Sequence, residues 1–118
     1  VINYNTATAQ ECADWLAGDD GWTIVNSELP PCSYWWNEAI QQQRVLNDPP
    51  YPLTLDAAAG ALREPWRLAH IDLWPGNVVA HIVRDHCGSK KSAVGPDELT
   101  ARYRAAVAAR LAGMEGRG

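Results

Sequence analysis

Apolar residues recur at helical spacing in three stretches of the chain, each with its own start signal. Ala9, Cys12, Ala13 and Leu16 share one face, and Thr8-Ala9-Gln10-Glu11 matches a capping box, so the pattern predicts a helix over 8–16. Gly18 and the Asp19-Asp20-Gly21 cluster then stop it and turn the chain. Pro49, Pro50 and Pro52 brace an extended segment, after which Thr54 can cap a second helix over 55–63 with Asp56 in its first turn. Pro96, Asp97 and Glu98 open a third helix over 96–111. Its buried stripe is Leu99, Tyr103, Ala106, Val107 and Leu111, extended by Met114, which leaves Arg102, Arg104 and Arg110 as exposed cations. Glu98 and Arg102 are spaced for an i,i+4 ion pair.

Period-two patterning lies between these helices. Trp22 to Val25 reads as a short strand. Trp66 to Leu73 and Val78 to Asp85 read as an antiparallel hairpin around the turn Trp74-Pro75-Gly76-Asn77. Strict alternation puts Trp66, Leu68, His70 and Asp72 on one face and Arg67, Ala69, Ile71 and Leu73 on the other. In the second strand Val79, His81, Val83 and Asp85 oppose Val78, Ala80, Ile82 and Arg84. Both faces hold apolar residues, which predicts a sheet covered at least partly on both sides. Asn37 to Leu46 contains strong helix formers and offers a short helix, whereas His86 to Gly95 is polar and reads as a mobile loop. The order predicts an α+β fold: one domain over 1–118, an antiparallel sheet with a central hairpin flanked by helices in an α/β/α sandwich-like arrangement, and a frayed tail over 112–118.

Composition narrows the function classes. A formal charge of −4, with 10 basic residues interleaved among 14 acidic ones, argues against nucleic acid as a partner and is too sparse in acid for DNA mimicry. No apolar run approaches the roughly 20 residues that cross a bilayer, and the N-terminus lacks signal-peptide features, so the expected location is the cytoplasm. Cys12, Cys32 and Cys87 are odd in number and irregularly spaced, which predicts free thiols.

The run from Pro49 to Leu62, the strand pair from Trp66 to Asp85 and the closing helix from Pro96 to Leu111 resemble the phage ABA sandwich domain proteins. The resemblance covers roughly the last 70 residues and implies a phage or prophage origin, a three-layer fold and action in the host cytoplasm. It carries no general activity and transfers no functional residue.

Candidate chemistry is sparse. His81, Asp85, His86 and Cys87 are close in sequence but match no strong zinc spacing, and Cys87 has no local nucleophile motif, so neither a metal nor a catalytic residue is assigned. Gly88-Ser89-Lys90-Lys91-Ser92 lacks the first glycine of a P-loop. No enzyme class gathers a full set of roles, and no cofactor is implied. The unusual feature is aromatic: six Trp and four Tyr with no Phe, including the adjacent Tyr34, Trp35 and Trp36. On an extended backbone Trp35 and Trp36 point to opposite sides, so at least one is expected at a surface that something else covers. The sequence therefore favours a protein-interaction or inhibitor module anchored by Tyr34, Trp35 and Trp36, with a host protein or a second copy of the chain as partner. The alternative is a binder that sequesters a small anionic, nucleotide-like ligand in host-defence evasion, a Trp stacking on the base and Arg67, Lys90 or Lys91 answering the phosphate. A third reading lets the Trp pair complete the core or a homodimer seam.

Overall fold

Helix α3 (Glu98–Glu115) organises the fold, because two different stripes of its surface are buried against two different partners. The computed structural model describes residues 2–28 and 33–115, with the side chains of 114 and 115 left aside. Ahead of α3 come α1 (Ala9–Asp19), β1 (Trp22–Asn26), β2 (Ser33–Asn37), β3 (Gln42–Val45), α2 (Leu55–Ala61), β4 (Trp66–Trp74), β5 (Asn77–Arg84) and β6 (Lys90–Gly95). The chain is a small α+β domain in which antiparallel sheet is flanked by helices. Strands β1–β2–β3 form one antiparallel sheet and β4–β5–β6 a second.

One stripe of α3, Tyr103, Ala106 and Val107, packs with Cys12, Ala13 and Leu16 of α1 and Ala58 and Ala61 of α2. The other, Ala101, Ala105 and Ala109, packs on Trp66, Ala80, Ile82 and Ala93 of the second sheet. Alanine lets both neighbours approach closely, and it makes the second stripe hard to see in a sequence because Ala suits core and surface alike. This arrangement corrects the expectation that Arg102, Arg104 and Arg110 are exposed. Arg104 donates to the Ala7 carbonyl at 2.8 Å and to the Val94 carbonyl at 2.7 Å, and the Arg110 side chain is only 12% exposed. Arg102 does reach Glu98 at 3.4 Å, the expected i,i+4 pair, with 23% of its side chain exposed. With helices on one side and sheet on the other, long basic stems fill gaps and their heads find carbonyls and carboxylates.

The first two start signals act as read, and the third is shifted. Thr8 accepts from the Glu11 amide while Glu11 returns a bond to the Thr8 amide, closing the capping box. Thr54 caps α2 through the Ala57 amide at 3.2 Å, and Asp97 caps α3 through the Thr100 amide at 2.7 Å. The last helix therefore begins at Glu98, two residues later than predicted, and runs four residues beyond Leu111. Gly95 shows why β6 ends as it does: a Cβ there would lie 2.7 Å from the Ala101 backbone nitrogen, so only glycine lets the strand meet the start of α3.

Three local readings are corrected. Asn37 to Leu46 forms no helix; residues 38–41 turn, Gln41 takes φ 52°, and β3 returns to pair Tyr34 with Val45 and Trp35 with Arg44. Cross-strand partners outweigh local helix propensity here. The segment from His86 to Gly95 is not all loop, because Lys90–Gly95 is the edge strand β6. Its inward positions are Lys91, Ala93 and Gly95, a lysine and two residues too small to give a hydrophobic alternation. The hairpin is present as predicted, but a β-bulge between Leu68 and His70 shifts its register, so His70 pairs with His81 and Ile71 with Ala80. Beyond the bulge Ile71 packs with the core while His70 and Asp72 join His81 on the opposite face. No residue of that opposite face is buried, so the expectation of cover on both sides fails for β4–β5–β6. Its inner face alone is packed, against α3.

Tyr103 ties the proline segment to this core, donating its hydroxyl to the Pro52 carbonyl at 2.6 Å. Burial, with a smaller push from Tyr51, raises the Tyr103 hydroxyl to about 12. A raised phenol contributes stability that is whole below the unfolded value near 10 and is lost as pH climbs toward 12. Denaturant melts at pH 9 and pH 12 should show the wild-type protein losing about 2–3 kcal/mol more than Tyr103→Phe. Equal losses would show that Tyr103 does not titrate in that range.

Candidate functional site

The first sheet sorts its aromatic residues by alternation. Trp22, Ile24 and Asn26 on β1 share a face with Ser33, Trp35 and Asn37 on β2. Trp22 and Trp35, 8% and 7% exposed, pack on Ala17 of α1 with Tyr51 alongside. Buried Asn37 locks this face to α1 by donating to the Asp20 carbonyl at 3.1 Å and accepting from the Ala39 amide at 3.1 Å. On the other face lie Thr23, Val25, Tyr34, Trp36, Gln43 and Val45, none of them belonging to a buried cluster. Tyr34 and Trp36 are two residues apart on β2 and therefore side by side, both half-buried. The Trp36 indole donates to the Glu38 carboxylate at 2.7 Å, which fixes the ring and puts a negative charge at its rim.

A second polar constellation gathers where α1, the proline segment, α2 and α3 meet. Asp20 accepts a forked pair from Arg63 at 2.9 and 3.0 Å, another bond from Arg110 at 2.6 Å and the Tyr51 hydroxyl. Arg110 also reaches Asp19 at 2.9 Å and the Tyr51 oxygen at 3.1 Å. Burial alone would raise the Asp20 carboxyl, but the hydrogen bonds from Tyr51 and Arg110 and the charges of Arg110 and Arg63 hold it below the ordinary aspartate range. Burial and the Asp20 bond push the Tyr51 hydroxyl up. Beside the network is a cavity of about 440 Å³ lined by Arg63, Trp66, Arg84 and Arg110 together with Asp19, Asp20 and Glu64. Three cations and three carboxylates balance on that wall, and two of the arginines are already spent on aspartates. The constellation is a structural clasp between sequence-distant elements.

The open face of the second sheet holds the remaining chemistry. His70 and His81 stack across β4 and β5 with ring centroids 4.2 Å apart and planes 20° apart. His81 Nε2 is 2.7 Å and His70 Nε2 3.5 Å from the same Asp72 oxygen, Oδ2. The sequence placed His81 beside Asp85, His86 and Cys87 instead, because the bulge that carries His70 and Asp72 to this face leaves no mark in a hydrophobic pattern. Among the described residues, no metal-competent cluster includes His86 or Cys87. Asp85 is paired with Arg67 at 2.9 Å, and exposed Cys87 donates to Ser89 at 3.3 Å. The hydroxyl and backbone amide of Ser89, donating to the thiolate, lower the Cys87 thiol, whereas burial pushes the Cys12 thiol up to about 11 and leaves it inert. Both cysteines are free, and Cys32 lies outside the described residues.

The structure thus brings Tyr34 and Trp36 together, turns Trp35 inward, and places Arg67, Lys90 and Lys91 on a different sheet. Arg67 and Lys90 flank Val83 on the open face, whereas Lys91 pairs with Ile82, whose side chain belongs to the core face. Trp74 shares the face of Arg67 but sits at the far end of the hairpin, paired with Asn77. No described helix is long and apolar enough to cross a membrane. No protein-family model, no curated protein and no solved structure matches the chain.

Proposed function

We propose that the chain is a binding protein rather than an enzyme, and that it engages a protein partner through the outer face of β1–β2–β3. The observation that carries this reading is the division of labour along β2, where Trp35 serves the core while Tyr34 and Trp36 stand together on the face the core does not use. Such rings give large contact area at low entropic cost, and Trp and Tyr dominate binding hot spots. Glu38 at the Trp36 rim and the formal charge of −4 favour a partner whose apolar patch is edged with basic residues. The nucleotide-like alternative would need an accessible Trp beside Arg67, Lys90 or Lys91; Trp66 does line a cavity of about 250 Å³ with Arg67 but is a core residue only 7% exposed, the Tyr34–Trp36 pair lies on the other sheet, and Asp85 already neutralises Arg67. A phage origin and a partner in the host cytoplasm belong to the same proposal and rest on the resemblance of residues 49–111.

A photo-crosslinking amino acid at position 34, or at exposed Asp56 on α2 as control, tests the surface in source cells. The expected result is one protein captured from position 34 and not from 56. That protein, once purified, should bind the unmodified chain and lose at least about tenfold in affinity to Trp36→Ala, whose own stability falls by no more than about 1 kcal/mol. Equal capture from both positions, or undiminished binding by Trp36→Ala, overturns the proposal. Capture of a second copy of the chain would replace the partner by self-association.

A further inference from the structure

We propose that His70, Asp72 and His81 bind a divalent transition ion of the zinc class on the open face of β4 and β5. The donor atoms of the three side chains all lie within 4.8 Å of one another. Two are already close to contact at Asp72 Oδ2, which has His81 Nε2 at 2.7 Å and His70 Nε2 at 3.5 Å. Tetrahedral coordination with bonds of about 2.0–2.1 Å needs donors roughly 3.3 Å apart, so small side-chain rotations complete the set. One carboxylate hydrogen-bonded by one imidazole would be an ordinary surface pair. Here a second imidazole converges on the same oxygen and stacks on the first, leaving three Lewis bases around a point that one cation can satisfy at once.

The backbone supports the same reading. His70 and His81 are directly opposed across the strands, and the bulge at Leu68–His70 delivers Asp72 to their face. Without that extra residue His70 and Asp72 would point toward α3 while His81 pointed away. Val79, Ser92 and Val94 beside the cluster are short, Trp74 at the hairpin end is 62% exposed, and His70 and Asp72 are 59% and 42% exposed, so water or an outside ligand can reach the remaining coordination positions. With neutral imidazoles the cluster carries one negative charge; of the two cations that flank Val83 on this face, Arg67 and Lys90, Arg67 is paired with Asp85. Two nitrogens and one oxygen suit Zn²⁺, Co²⁺, Ni²⁺ or Cu²⁺, whereas Mg²⁺ and Ca²⁺ prefer all-oxygen shells. The site lies on the second sheet, so it stands or falls independently of the Tyr34–Trp36 surface.

Titrating tag-free protein with Co²⁺ and following its visible absorption should show one ion per chain, displaced by Zn²⁺ but not by millimolar Mg²⁺. His70→Ala and His81→Ala should each weaken binding at least about tenfold, and His86→Ala, in the turn after β5, should leave it unchanged. Imidazole NMR resonances of the wild-type protein give a readout that needs no variant to fold: Zn²⁺ should move those of His70 and His81 and leave that of His86 in place. Absence of saturable Co²⁺ or Zn²⁺ binding overturns the site and leaves a hydrogen-bonded surface cluster. Binding that survives the double His70→Ala/His81→Ala variant overturns it as well.

Discussion

Asp20→Ala should lower the unfolding free energy by about 3 kcal/mol, near the lower end of what breaking a buried ion pair costs. The Asp20 side chain is 14% exposed and accepts from Arg63, Arg110 and Tyr51, residues drawn from α3, from the segment after α2 and from the proline-rich lead-in. Removing it leaves the Arg110 guanidinium, 12% exposed, with Asp19 as its remaining carboxylate and leaves the Tyr51 hydroxyl without its acceptor. Asp19 prevents the full penalty, which is why the lower end applies. Because the folded Asp20 carboxyl is held below the unfolded value near 3.9, its contribution is present above that pH and disappears as pH falls through the lowered folded value. Denaturant melts of wild type and Asp20→Asn at pH 6 and pH 2.5 should therefore draw together on acidification, the variant being less stable at pH 6 and the gap smaller at pH 2.5. A gap of the same size at both pH values would mean that the clasp acts through packing rather than through the charge on Asp20.

How much of this molecule the sequence discloses depends on whether a feature is local. The helix starts at Thr8 and Thr54 are local, since one side chain and an amide three residues on make the cap, and both are legible. So is the hairpin across Trp74–Asn77, where turn chemistry lies between two β-rich runs. The bulge at Leu68–His70 is not local in this sense. It depends on how β4 sits on β5, and it exchanges the faces of every later residue in β4, so the His70–Asp72–His81 cluster stays hidden while sequence proximity groups His81 with His86. The strands β3 and β6 are hidden for a related reason: Gln42–Val45 and Lys90–Gly95 carry few β-branched residues, and pairing rather than composition makes them strands. The Asp20 clasp joins residues 31, 43 and 90 positions apart, and no short-range pattern encodes it. The Trp pair lies between these cases: its opposed directions follow from strand geometry, whereas the core's choice of Trp35 needs α1 and Trp22 in place.

That choice gives the chain its most decisive pair of variants. Trp35→Ala should cost about 3–5 kcal/mol, the range for aromatic truncation in a packed interior. Trp35 is 7% exposed between Trp22, Ala17 and Tyr51, and its loss opens a hole where the first sheet meets α1. Tyr51 also belongs to the Asp20 clasp, so the disturbance reaches the contact between α1 and α3, and collapse of the cavity is resisted from both sides. For a chain of this length the loss corresponds to a melting temperature on the order of 10–20 °C lower. Trp36→Ala removes a half-buried ring from the outer face together with its bond to Glu38, and should cost no more than about 1 kcal/mol. Neighbours on β2 that differ this much in stability, with the cheaper one carrying the loss of binding, are the signature of one ring given to the core and one to a partner. Two large drops would place both rings in the folding core and withdraw Trp36 from the binding surface, whereas two small ones would contradict the packing of Trp35 against Trp22.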